Sequence, residues 1–98
     1  MNTYIYILRL IPRLYNDNAW SNSDDEIVNK HFNRLKTDYE KHIVIHAGRT
    51  DDTMDNRFGI VIFWANDINE ATLYMLDDPA IQNQIMTGEV YLYRMAIY

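Results

Sequence analysis

Residues 58–65 read Phe58-Gly59-Ile60-Val61-Ile62-Phe63-Trp64-Ala65. The run is short, rich in β-branched and aromatic side chains, and preceded by a polar, turn-like segment. That combination predicts a strand rather than a helix. Successive side chains of a strand point to opposite faces. Phe58, Ile60, Ile62 and Trp64 therefore share one face, and Val61, Phe63 and Ala65 share the other. Neither face is polar. A strand of this kind belongs in a sheet that is covered on both sides.

The flanking sequence supplies the rest of that sheet. Residues 42–49, His-Ile-Val-Ile-His-Ala-Gly-Arg, predict a strand. Thr50 to Asn56 is polar, with three Asp and one Asn, so the two strands form a hairpin with a longer loop. Residues 3–11 predict the opening strand, stopped by Pro12. It too is apolar on both sides, with Ile5, Ile7 and Ile11 opposite Tyr4, Tyr6, Leu8 and Leu10. A polar connection spans 12–22, and residues 89–98 make the last strand.

Two helices separate these strands. Ser23-Asp24-Asp25-Glu26 has the form of a capping box, with three acids at the positive end of the helix dipole. Ile27, Val28, His31, Phe32, Leu35 and Tyr39 then make an apolar stripe, and Asn29, Lys30, Asn33, Arg34 and Lys36 take the wet face. Asp67 with Glu70 opens the second helix, whose inner face is Ile68, Ala71, Thr72, Met75 and Leu76. Asp78 before Pro79 predicts the N-cap of a further short helix, anchored by Ile81 and Ile85.

The order is βαββαβ, one domain over residues 1–98. It predicts an α+β, ferredoxin-like fold: a four-stranded antiparallel sheet with helices on one face. Two helices cover only one side. Leaving the other wet exposes an apolar patch of roughly several hundred Å², more than soluble monomers usually show. At about 25 cal/mol per Å², burying it is worth many kcal/mol. A second copy, sheet against sheet across a two-fold axis, is the simplest cover, so a homodimer is expected.

Composition excludes several functions. The chain has no cysteine, which removes thiolate catalysis, disulfides and cysteine zinc sites. The formal charge is −5, with nine scattered Lys and Arg, and this argues against a nucleic-acid or anionic-membrane surface. The N-terminus does not have the form of a signal peptide, and no apolar run approaches a membrane span, so a cytoplasmic protein is expected. Three glycines and no Gly-rich loop give no nucleotide cradle, and no cofactor is called for.

His31-Phe32-Asn33-Arg34-Leu35, Ile45-His46-Ala47-Gly48, Gly59-Ile60-Val61-Ile62-Phe63 and Asp77-Asp78-Pro79-Ala80, in that order and spacing, resemble the YCII-related family of dimeric α+β-barrel proteins. The resemblance implies a His–Asp active site, which carries over to His31 and Asp78. It also implies chemistry akin to a family branch associated with dehydrochlorination of a chlorinated hydroxyquinol. The chain departs from the family pattern in a longer first connection, in Arg49 where Pro often follows the Gly, and in Val28 where a basic residue often precedes the His. These changes reshape the pocket rim.

Each candidate has two readings. His31 is a general acid or base, or a core histidine bonded to backbone. Asp78 orients that imidazole, or is an ordinary N-cap; a carboxylate has oxygens for both. Arg9, an interruption on the Ile5 and Ile7 face, holds a substrate anion or makes a structural ion pair. Arg49 and Arg94 stand near strand ends, as anion ligands or solvated charges. His42 and His46, four apart on a strand, would lie about 13 Å apart, too far to share a metal. Trp20, Trp64, Tyr91 and Tyr93 line an apolar pocket or belong to core and interface. The expectation is a small enzyme using His31 and Asp78 on a small metabolite, with elimination as the nearest reaction class. The alternative is a non-catalytic small-molecule-binding domain or a structural dimer.

Overall fold

Strands and helices alternate in the predicted order in the computed structural model, which describes residues 1–98. Strand β1 runs Asn2–Leu10, helix α1 Asn22–Glu40, β2 Val44–Arg49, β3 Gly59–Ala65, α2 Ile68–Leu76, α3 Pro79–Gln82 and β4 Met86–Leu92. The sheet order is β2-β3-β1-β4, and every neighbouring pair is antiparallel. The expected ferredoxin-like α+β architecture is therefore present, with the helices on one face. No helix is long and apolar enough to cross a membrane.

Alternation along the central strands sorts their side chains. Tyr4, Tyr6 and Leu8 of β1 and Val61, Phe63 and Ala65 of β3 are buried with Leu35 of α1 and Ala71 and Met75 of α2. A second cluster of Leu10, Leu14, Ala80 and Ile85 closes the end where β1 meets α3. Ile5 pairs with Ile62 on one side and Tyr91 on the other, and Ile7 pairs with Ile60. These side chains make the face away from the helices, and Trp64 and Tyr91 there are 38% and 48% exposed. The double-sided apolar pattern is thus real, and one face has no cover within the chain.

Several local expectations change. Helix α1 is capped by Ser21, not Ser23: Ser21 Oγ accepts from the Asp24 N–H at 3.1 Å, and Asp24 Oδ2 accepts from the Ser21 N–H at 2.9 Å. The reason is tertiary. Arg13, in a 3-10 turn over Pro12–Tyr15, grips Asp24 through two hydrogen bonds of 2.9 and 3.0 Å. That fixes Asp24 as the third helical residue and selects the first serine. The connection over 12–22 is consequently built rather than loose, with Leu14 fully buried in it.

Strand β2 begins at Val44, because His42 adopts a left-handed backbone (φ 63°) that ends the preceding helix. The last strand lies earlier than expected, over Met86–Leu92 instead of 89–98. Its β1 partner runs out at Asn2, and Ile97 and Tyr98 are almost wholly exposed. On α1, Phe32 and Tyr39 are exposed, whereas Arg34, assigned to the wet face, turns inward. On α2, Ile68 and Leu76 are exposed, and Tyr74 packs on the core in their place.

Candidate active site

Three elements converge on one buried carboxylate. Asp78 caps α3, accepting the Ala80 N–H on Oδ1 at 2.9 Å, and its side chain is wholly buried. Tyr6 of β1 donates its hydroxyl to Oδ2 at 2.7 Å. His31 of α1 places Nδ1 at 2.7 Å from Oδ1 and 2.8 Å from Oδ2. Arg34, one turn beyond His31, brings Nη1 to 3.9 Å from Oδ2. Asp78 is therefore an N-cap, and the same carboxylate also has oxygens for His31 and Tyr6.

The protonation pattern follows from this geometry. Burial alone would raise the Asp78 carboxyl, but the His31 hydrogen bond and charge, the Tyr6 hydroxyl and the Ala80 N–H together hold it below the usual carboxylate value. An ionised carboxylate only accepts hydrogen bonds, so His31 Nδ1 must carry the proton it donates. In the neutral ring Nε2 is then the bare nitrogen. Burial, and after it the Asp78 charge and hydrogen bond, push the Tyr6 phenol far above its ordinary value, so its hydroxyl stays a donor.

A further polar group supports the carboxylate from behind. Arg34 lies over the Tyr74 ring, 4.0 Å from its centroid, and donates through Nη2 to the Tyr74 carbonyl at 2.6 Å. The Tyr74 hydroxyl donates to Asp38. Burial and that bond raise the Tyr74 phenol well above its usual value. Arg34 Nη1 is buried with no hydrogen-bond partner, so its positive charge faces Asp78 without a direct bond.

His31 also lines a cleft of about 720 Å³ between α1 and the β2–β3 hairpin. Its side chain is 14% exposed, and with Nδ1 committed to Asp78, Nε2 is the nitrogen left for anything in the cleft. Trp20, Phe32 and Tyr39 give the cleft aromatic walls, and Lys36, Arg49 and Arg57 give it cations. Arg49 thus shares the cleft with His31. Arg9 does not: it is exposed on the other side of the sheet, with its guanidinium 5.0 Å from the Phe58 ring centroid. His42 is on the α1–β2 turn, Trp64, Tyr91 and Tyr93 are outside the cleft, and no cluster of three metal-ligating side chains forms.

Sequence reasoning missed Tyr6, Arg34, Tyr74, Lys36 and Arg57. Arg34 had a signal, since it stands three residues after His31 and four before Asp38, which places all of them near one helix face. Tyr6 had only its place among inward strand positions, where a buried phenol needs a partner.

Fold and site together define a ferredoxin-like α+β domain in which a buried carboxylate is hydrogen-bonded to a histidine at the wall of a cleft. No family model matches the chain, and no curated protein matches it. Among solved structures, the chain is similar to 5-chloro-2-hydroxyhydroquinone dehydrochlorinase (TftG) from Burkholderia phenoliruptrix AC1100, in complex with 2,5-dihydroxybenzoquinone. The match has a TM-score of 0.60 at 14% identity and covers 94% of this chain and 93% of that one. At that identity the likeness establishes the shared fold.

Proposed function

We propose that this chain is a small enzyme of YCII-like type, in which His31 moves a proton and Asp78 orients and polarises it. The carrying observation is the 2.7 Å contact between the buried Asp78 carboxylate and Nδ1 of His31, a residue that lines an open cleft. The favoured reaction is an elimination on a small metabolite. Nε2 takes a proton from the substrate, the electron pair of that bond forms a new π bond, and the leaving group departs as an anion. The net change is loss of HX, which balances without oxidant or reductant. The structural neighbour is a dehydrochlorinase, which supports this reaction class.

In this proposal the protein is a cytoplasmic homodimer joined through the open sheet faces, and Arg49 contacts the substrate. Arg9, on the open face, would serve the interface and reach substrate only through it. The test is turnover of a panel of chlorinated hydroxyquinols and small β-substituted acids, followed by halide release and by absorbance. His31→Ala and Asp78→Asn should each lower turnover by about 10²-fold or more, the range of a lost general base. If every panel member that wild type converts is converted equally by His31→Ala, the proton-transfer role is wrong.

A further inference from the structure

The cleft has a charge pattern opposite to that of the chain. With 14 Asp and Glu in 98 residues, a lining of 21 residues at the chain average would hold about three acids. It holds none, yet it contains Lys36, Arg49 and Arg57. The chain's ion pairs involve Arg13, Arg34 and His31, so none of the three cleft cations has a carboxylate within 4.0 Å. The Arg57 guanidinium makes only one long bond of 3.4 Å, to the Asp52 carbonyl, and its Nε is buried without a partner.

Placement concentrates these charges. Arg49 pairs across the hairpin with Gly59, two residues from Arg57, so both cations emerge at the same end of the β2–β3 ladder. The remaining walls are mostly apolar and aromatic. Low-dielectric walls focus the field of such charges into the space between them. A guanidinium with free donors suits the two oxygens of a carboxylate.

We infer that the cleft binds a small organic anion, a carboxylate on an apolar or aromatic body, with the charged end held by Arg49 and Arg57 at the hairpin and Lys36 across from them. This selectivity names the substrate class of the proposed enzyme and rests on His31 working in that cleft. The anionic end is fixed at the hairpin, so the body of the ligand lies against the apolar wall that includes Phe32, the neighbour of His31 on α1. An acidic chain otherwise repels such molecules, and the cationic lining supplies the local attraction.

Benzoate and benzamide, nearly the same shape but differing in charge, are the probes, with binding followed by calorimetry at low salt. Benzoate should bind at least tenfold more tightly than benzamide, and the preference should shrink in 0.5 M NaCl. The double variant Lys36→Gln/Arg49→Gln, both at exposed positions, should reduce the preference to about twofold while keeping the wild-type circular dichroism. Equal binding of the two probes, no benzoate binding at 10 mM, or an undiminished preference in the double variant overturns the inference. His31→Ala separates the two proposals, because it removes the proton carrier and leaves all three cations. Retained benzoate preference in that variant supports the anion site whatever happens to turnover. Turnover that needs His31, in a protein without the preference, overturns the anion site alone.

Discussion

Asp78 shows how much a single side chain can combine. It caps the start of one helix, fixes an imidazole and accepts a buried phenol, so its removal leaves the Tyr6 hydroxyl, the Ala80 N–H and His31 Nδ1 without their acceptor and Arg34 without the facing charge. Asp78→Ala should cost about 3 kcal/mol at neutral pH, the cost of breaking a buried charged network. The native carboxyl is held below its unfolded value of about 3.9, so its contribution is present above that value. It is lost as pH falls through the lower, folded value. Urea melts at about pH 6 and about pH 2.5 should therefore show a smaller gap between wild type and Asp78→Ala at the acid end; an equal gap would mean the carboxyl is not ionised in the fold. Tyr6 works in the opposite sense, since its raised value makes the fold hold a proton that the unfolded chain releases above about pH 10. Stability should fall as pH rises past that point, and Tyr6→Phe should flatten part of the decline. Absorbance titration of the folded protein should leave Tyr6 and Tyr74 protonated after the exposed tyrosines have ionised.

At the scale of the element, α1 carries the clearest test. Its N-cap is Ser21, so Ser21→Ala should lower stability by about 1 kcal/mol and Ser23→Ala should change it little. The reverse order in thermal melts would restore the capping box at Ser23. Arg13 and Asp24 belong to the same device, and their bond, with the help of Ser21, holds the Asp24 carboxyl well below its ordinary value. On β4, Gly88 lies under the helices. A Cβ there would come within 2.6 Å of Ile81 Cδ1 and 2.9 Å of Met75 Sδ. Both atoms end flexible side chains, so Gly88→Ala should cost about 1–2 kcal/mol rather than block folding. The α1 face bearing His31, Arg34 and Asp38 is polar in letters and half-buried in fact, because each of these side chains meets a partner on another element.

Across the whole molecule, the open sheet face carries the proposed dimer. Ile5, Ile7, Ile60 and Ile62 form a ridge there, with Trp64 and Tyr91 beside it. Sedimentation at micromolar concentration should give a species of twice 11.7 kDa. Trp64→Glu, at a half-open position of that face, should shift it to the single-chain mass without loss of helix signal. A monomeric wild type would end the dimer proposal and leave the fold intact.

Local sequence determined the elements, their order and the sheet's two apolar faces, because alternation and capping depend on neighbours a few residues apart. Asp67, which does cap α2 by accepting the Glu70 N–H, shows such a signal read correctly. Tertiary structure decided which serine caps α1, where β4 begins, and that Arg34 turns inward. It also brought Tyr6 and His31, 72 and 47 residues away along the chain, onto Asp78. Those outcomes depend on contacts between distant segments, and the energy of such contacts leaves no periodic trace in the local order of residues.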